Sequence, residues 1–440
     1  MNQFLSRIRH PACAVLVRNL IVVVFFIGSS AGSTVDLAAD DMWDTLEGEG
    51  RALDIMGLQR IADGLQIYGV EYVEELIEAP NVSGAEPALS RVERKQLYVI
   101  RVGHDEGILW RHVYPSLPDV HEIFSADTAH NGYMCIVFGE KTRQQDLLKP
   151  VLIQIDAQGK ILWARRNLID SRIATAAGNP SLEQIANLDT LRVSATPGNG
   201  CMLAFITRVV TRDTENFYLH LIQHDQDGSE RWHHTTETQL FGRMFLISDA
   251  DAKHYDIVQT NQSRDAAIQA MIQGEPFNPQ TSVMGISYSG DVLYSIDSPA
   301  SLVSVWVNGV ANANGENILI VGKTRSAWAV FLNSDGEVVQ RFDSLPGEFN
   351  AVAATLSGGY VLVRGHSMTF ANDKLQPGLT VDINNAVIRR YINQYLTARL
   401  PDDIPVEQIV AWKSDEYLLL YKLGSRLLKV KVPAKSHEGQ

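Results

Sequence analysis

The chain has 440 residues, 45% of them hydrophobic and 20% charged, a composition that supplies a sizeable core and excludes an intrinsically disordered protein. Its 51 acidic residues outnumber 38 basic ones, and the net charge of −13 disfavours nonspecific binding to nucleic acid or anionic lipid.

At the N-terminus Arg7, Arg9 and Arg18 precede the uncharged run "LIVVVFFIG", residues 20–28, and Ala31-Gly32-Ser33 follows as a small-x-small cleavage site. The run is too short to cross a hydrocarbon slab, which needs roughly 20 residues. Residues 1–33 are therefore expected to be a signal peptide cut after Ser33, giving a periplasmic or secreted protein. The alternative is an uncleaved anchor over residues 12–31 with Arg18 snorkelling. Membrane contact is expected only through this segment. Cys13 precedes the apolar run and has no lipoprotein-type box. Cleavage would leave 35 basic residues against 51 acidic ones, a net charge of −16.

A linker over residues 34–50 leads into strand signals that come in sets of four, bounded by Gly, Asn and Asp. The first set reads "GLQRIAD", "GLQIYGVEYV", "KQLYVIRV" and "ILWRHV". The second reads 122–126, 133–138, 151–155 and 161–165. A later one reads 351–356, 360–364, 379–383 and 386–392. The last set, "EQIVAW", "EYLLLYKLG" and "RLLKVKV", has only three members. An open edge invites aggregation, and residues 51–56 ("RALDIM") are the candidate for its missing strand.

One turn recurs through these sets. Asp156, Gly159 and Trp163 in "IDAQGKILW" return with identical spacing as Asp225, Gly228 and Trp232 in "HDQDGSERW". Looser copies are Ser287/Gly290/Tyr294, Asn333/Gly336 and Asp382/Asn385, and a shortened one is "HDEGILW", residues 104–110. Asp-x-x-Gly supplies the side-chain acceptor and the positive-φ residue of a tight hairpin. The aromatic residue then packs between neighbouring units, as core and not as a ligand-stacking array. Marker intervals of 69, 62, 46 and 49 residues bracket the period of a four-stranded propeller blade. The expected fold is all-β: a seven-bladed β-propeller of four-stranded antiparallel blades over residues 51–433, closed by an N-terminal strand, with a tail at 434–440. Residues 239–280 could supply one strand or two, so eight blades is the alternative.

Two cysteines follow the signal segment. Aligning the Asn-Gly turns before Cys135 and Cys201 puts both on the same face of successive blades, which predicts free buried thiols and no disulfide.

Connections within the first and last strand pairs are short, whereas the others are long: 78–94, 140–149, 169–188, 207–215, 274–280, 365–376 and 394–406. Both kinds of long connection emerge at one end of the ring, where binding is expected. Arg143, Asp146, Arg172, Arg212, Phe277, His366 and Phe370 lie on them and are the candidate contact residues.

Catalytic and metal signatures are weak. His220, His224, His233 and His234 lie in "HLIQHDQDGSERWHH", but four-apart residues on a strand stand about 13 Å apart, a poor joint metal shell. Asp225, Asp227 and Glu230 surround a glycine without the spacing of a calcium loop. No nucleophile elbow, P-loop, HExxH or dinucleotide fingerprint occurs, so no catalytic residue, metal or cofactor is expected. Asn81-Val-Ser83 and Asn261-Gln-Ser263 fit the glycosylation pattern.

The blade motif, a polar residue then x-x-Gly then x-x-x-Trp, resembles repeats of the quinoprotein-like (PQQ-like/WD40-like) propellers over residues 97–390. That superfamily includes pyrroloquinoline quinone dehydrogenases and a noncatalytic outer-membrane assembly scaffold. The dehydrogenases set adjacent cysteines against the cofactor, and this chain has no Cys-Cys pair, so the resemblance implies the noncatalytic branch. Three functions are thus in view. The first is an exported module or scaffold binding an envelope or extracellular protein, or a glycan, through the long-loop face. The others are a funnel-sited hydrolase or lyase, and a structural component of an envelope assembly.

Overall fold

The computed structural model describes residues 22–25, 36–39, 53–78, 89–141, 148–166, 168, 182–186, 188–196, 198–210, 214–249, 253–261, 272, 280–297, 306–312, 317–323, 327–333, 335, 337–345, 349, 351–364, 367–374, 376–382, 406–413, 416–421 and 426–431. Within them the chain is a propeller of antiparallel blades, and every sheet but the last is built from strands consecutive in sequence.

Blade 1 comprises Leu53–Ile61, Gly64–Glu78, Leu89–Gly103 and Ile108–Val113, and blade 2 comprises Val120–Thr128, Met134–Lys141, Leu148–Ile155 and Ile161–Arg165. Blade 3 has a divided inner strand, Leu182–Ile185 and Arg192–Ala195, both paired to Cys201–Val210, followed by Glu215–His224 and Glu230–Thr238. Blade 4 runs Arg243–Asp249, His254–Thr260, Thr281–Ser287 and Val292–Asp297. Blade 5 runs Trp306–Asn312, Asn317–Lys323, Ala327–Asn333 and Val338–Leu345. Blade 6 runs Ala351–Ala354, Tyr360–Arg364, Ser367–Ala371 and Pro377–Asp382. A last sheet joins Val406–Lys413, Glu416–Tyr421 and Arg426–Lys431 to Val22–Phe25, which runs parallel to Arg426–Lys431, and then to Asp36–Ala39.

The core lies between blades. Residues of the central strands alternate so that each blade meets both neighbours: Tyr68, Val70, Leu97 and Val99 pack on blade 2, while Leu65, Ile67, Tyr98 and Ile100 pack on Trp412, Leu418 and Leu420 of the last sheet. Burial on both faces explains why these strands read as almost continuous apolar runs. The inner strands touch in a closed circle, the last sheet lying between blades 6 and 1.

Three expectations are corrected. Among the described residues six blades are complete, fewer than the seven or eight expected, and the remaining sheet takes its outer strands from the N-terminal part of the chain. Of residues 51–56, 53–56 do not close it: they enter blade 1, because a register shift at Met56 merges "LDIM" and "GLQRI" into one inner strand, Leu53–Ile61, while 51 and 52 lie outside the described residues. In blade 6 the third strand is Ser367–Ala371, not 379–383. Asn372 accepts hydrogen bonds from the N–H groups of Lys374 and Gln376 (3.0 and 2.9 Å), the same turn that Asp156 makes with Gln158 and Lys160, with Leu375 at the glycine position. That substitution hides the hairpin from a motif search. The 386–392 strand lies outside the described residues.

The cysteine expectation is also overturned: Cys135 and Cys201 form a disulfide with Cα atoms 6.0 Å apart. The matching turns close by Ala129 N–H to Tyr133 O (with Gly132 N–H to Ala129 O) and by Thr196 N–H to Gly200 O (with Asn199 N–H to Thr196 O). Gly132 is thus equivalent to Asn199, both at positive φ, and the true offset is one residue less than the Asn-Gly alignment implies. A one-residue slip reverses the face. Cys135 points forward from blade 2 and Cys201 backward from blade 3, into one cluster with Val137, Leu203 and Phe205.

Candidate interaction face

The described connections within the first and last strand pairs of the blades are short hairpins, and the other end of the ring carries the longer ones. The asymmetry is marked in blades 1, 2 and 4. It fails in blades 3, 5 and 6, where only residues 211–214, 324–326 and 365–366 join the middle strands.

Blade 1 departs most from its neighbours. Its two central strands have 15 residues each and stay paired from Gly64↔Gly103 to Glu78↔Leu89. The inner strand stops opposite Glu71 and the outer strand opposite Tyr98. Among the described residues, Tyr72–Glu78 with Leu89–Lys95 therefore continue beyond their neighbours as a two-stranded ribbon, roughly 20 Å long at strand rise, standing on the long-loop end of the blade. Its root is fixed: the Lys95 N–H donates to Asp119 Oδ1 (2.6 Å), the Tyr114 N–H donates to Leu97 O (3.0 Å), and the Lys95 ammonium lies 5.3 Å from the Tyr72 ring centre. Burial raises the Tyr72 pKa, and the carboxylates of Asp54 and Glu93 raise it further. The strand Tyr72–Glu78 carries three glutamates, and Leu89–Lys95 carries two arginines and a lysine against one glutamate. Among the described residues neither edge of the ribbon beyond its root pairs with another strand.

Of the candidate contact residues, Arg143, Asp146, Arg172, Arg212, Phe277 and His366 lie outside the described residues. Phe370 is corrected: it sits within Ser367–Ala371, is buried, and meets Tyr417 edge-on at 5.1 Å, an interblade core residue and not a loop contact. Of the expected connection 78–94, residues 78 and 89–94 belong to the ribbon, and the others lie outside the described residues.

The histidine-rich segment divides. His220 and His233 come together across blade 3, Nδ1 to Nε2 at 3.1 Å, whereas His224 packs on Trp163, ring centres 5.7 Å apart. Burial lowers both His220 and His224 to about 4, helped by His233 in the first case and Arg165 and His233 in the second. Among the described residues no three His, Cys, Asp or Glu side chains converge as metal ligands. His254 faces both carboxylate oxygens of Asp256 at 3.1 Å, with the Tyr294 hydroxyl donating to the same group, but these atoms are covered between blades 4 and 5.

Around the inner circle, polar side chains tie blade to blade. Gln59 Nε2 donates to Ala126 O and Asp127 Oδ1, both at 2.9 Å. Asp127 Oδ2 in turn accepts from Ser194 Oγ (2.9 Å) and the Ala195 N–H (2.8 Å). Desolvation raises the Asp127 pKa although these donors oppose it. Asp127 is thus a bridge across three blades.

No family model matches the chain, and no curated protein matches it in sequence. It is similar in structure to the β-propeller domain of the trilobed protease from Pyrococcus furiosus (TM-score 0.46, 7% identity, covering 86% of this chain and 93% of that one). It is also similar to the Dos1 propeller (0.44, 8%, 84% and 80%) and to YCF48 bound to D1 peptide (0.43, 11%, 88% and 95%). The chain is a β-propeller on its own sheet order and interblade packing, a fold consistent with a protein-binding module.

Proposed function

We propose that this chain is an exported propeller that binds another protein through its long-loop face, with the blade 1 ribbon as the projecting element. The observation that carries the reading is the pairing of Tyr72–Glu78 with Leu89–Lys95 beyond both flanking strands. A ribbon edge offers unpaired backbone groups to an added strand, and alternate side chains supply specificity. Export is supported by the basic residues, apolar run and cleavage site at 1–33, and by a buried disulfide, which suits an oxidising compartment. We take the last sheet as the seventh blade, since it packs against blades 1 and 6. Cleavage after Ser33 would remove Val22–Phe25 and leave Arg426–Lys431 as an outer edge bearing Arg426, Lys429 and Lys431, charges that discourage edge-to-edge association. The noncatalytic quinoprotein-like branch remains the superfamily reading.

Mature protein purified from the envelope, its N-terminus sequenced, is the bait for co-purification. It is compared with a variant in which residues 73–94 are replaced by Asn-Gly, joining the directly opposed Tyr72 and Lys95 by a two-residue turn. A partner lost by a variant that melts like the parent places binding on the ribbon. Equal capture removes the ribbon from the interface, and a triple Ala change at Arg143, Arg212 and Phe277 then tests the rest of that face.

A further inference from the structure

His220 lies on the third strand of blade 3 and His233 on the fourth. Cross-strand register pairs His220 with Thr235 and His233 with Ile222, so the two imidazoles are diagonal neighbours on the face toward blade 2. Their nitrogens converge: His220 Nδ1 stands 3.1 Å from His233 Nε2, and Thr235 Oγ1 stands 3.1 Å from His233 Nε2 and 3.5 Å from His220 Nδ1. Three donor atoms thus outline a small triangle. Nitrogen ligands about 2.0–2.1 Å from a tetrahedral zinc ion are about 3.3 Å apart. The pair already stands near that separation.

The ring of His220 is held in place. Its Nε2 lies 2.8 Å from Thr207 Oγ1, and its face stacks on Phe205 with ring centres 4.8 Å apart and planes 8° from parallel. With Nε2–H donating to the threonine, the Nδ1 lone pair is directed at the triangle, the arrangement by which a second partner fixes the tautomer of a metal-bound histidine. His220 is buried, His233 is half-buried and Thr235 is exposed, so the triangle opens to solvent at the outer strand.

We propose that blade 3 carries a binding site for a borderline divalent transition ion of the Zn2+ class, with His220 Nδ1 and His233 Nε2 as its two protein ligands. The Thr235 hydroxyl and water complete the shell. Without metal, His233 Nε2–H donates to His220 Nδ1. With metal, that proton resides on His233 Nδ1, a change of tautomer that releases no net proton. Two protein ligands make an exchangeable site, weaker than a four-ligand structural zinc site. His224, which shares the strand, is held away on Trp163 and takes no part. This site is independent of the ribbon and of the proposed partner.

The test is Zn2+ titration of the full chain by calorimetry, with Co2+ as a spectroscopic probe of nitrogen ligation. One equivalent is expected to bind, with a Co2+ visible spectrum that Zn2+ displaces. His233→Ala, a change at a half-buried position that should not disturb folding, is expected to weaken binding more than tenfold and to abolish the rise in melting temperature that Zn2+ gives the parent. Thr207→Val, which removes the orienting hydroxyl, should weaken it by about 10- to 100-fold. His234→Ala, one residue along on the opposite face, should bind like the parent. Absence of Zn2+ binding by the parent overturns the proposal, as does undiminished binding by His233→Ala, which would place any bound ion elsewhere.

Discussion

Trp163 of blade 2 donates its indole N–H to the carbonyl of Gln226 in the last hairpin of blade 3 (3.0 Å), and its ring lies against Gly228 two residues further on. The contact recurs around the ring. Trp110 donates to Ala157 O and Trp232 to Tyr288 O, both at 3.1 Å; the Trp232 indole covers the positive-φ Gly290, and Gly159, also at positive φ, is covered by His112 with the edge of the Trp110 ring beside it. The recurring turn is therefore half of an interblade clasp: the glycine of one copy receives the tryptophan of the copy before it. A Cβ at Gly228 would meet the Trp163 ring at 2.8 Å, and its φ of 80° is unfavourable to any other residue. Gly228→Ala should destabilise by about 2 kcal/mol, and Trp163→Phe, which removes the donor, by about 1 kcal/mol. Gly198→Ala, where a Cβ would meet nothing within 4 Å, should lie within about 0.5 kcal/mol of the parent. Denaturant unfolding of the three variants checks the order. Equal costs for Gly228→Ala and Gly198→Ala would show that the clasp contributes nothing.

Ring closure depends on Gln408 and Leu58, 350 residues apart. The Leu58 N–H donates to Gln408 Oε1 (3.2 Å) and Gln408 Nε2 donates to Leu58 O (2.7 Å), so one side-chain amide holds both backbone groups of a buried residue. Gln408→Ala strands that N–H and carbonyl and should cost about 2 kcal/mol. Because the closure lies between the chain's two ends, hydrogen exchange should quicken in Leu53–Ile61 and Val406–Lys413 before it does in blades 3 and 4. Uniform acceleration around the ring would contradict a localised closure.

Much of this architecture was legible because each blade repeats a turn whose residue types are dictated by backbone conformation. Blade 2 was read within about two residues at most ends, since Asp156, Gly159 and Trp163 occupy their positions with their usual residues. The misreadings of turns share one cause: another residue stands where the motif has glycine. In blade 1 it is Glu106, φ 71°, so "HDEGILW" looked shortened although its turn starts at Gly103, with Trp110 at the full spacing. In blade 3 it is Asn199, which shifted the cysteine alignment by one and reversed a face. Leu375 concealed the blade 6 hairpin and with it the burial of Phe370. The His220–His233 meeting was beyond strand periodicity alone, since it depends on a diagonal across a hairpin whose register slips between Gln223 and His224.

The disulfide gives a third test. Cys135 and Cys201 are 66 residues apart, and a cross-link closing a loop of that length stabilises by about 4 kcal/mol through the unfolded chain. Changing both to Ser should lower stability by that order while leaving the blade 2 and blade 3 sheets intact. Peptide mapping without reduction of protein recovered from an oxidising compartment should yield one linked pair, residues 135 and 201. Two free thiols there would rule out the bridge.

Acid should weaken the protein through two buried histidines. His220 and His224 titrate near 4 in the folded chain against an ordinary 6.5, so the unfolded chain takes up protons first as pH falls. Their neutral forms are compatible with burial above about pH 6.5. Between 6.5 and 4 stability declines, by up to about 3 kcal/mol for each histidine at the lower limit. The cause differs between them. Nδ1 of His224 meets no partner among the described residues, in a site walled by Trp163 and faced by Arg165, so its charge would be stranded. His220 has Thr207 and His233, and protonation there breaks a bond that needs one nitrogen to accept. His224→Gln should therefore flatten the acid limb of a stability profile measured between pH 7 and 4, even if it costs some stability at pH 7. Were the slope of that limb unchanged in His224→Gln, the burial of a neutral His224 would not be the source of acid sensitivity.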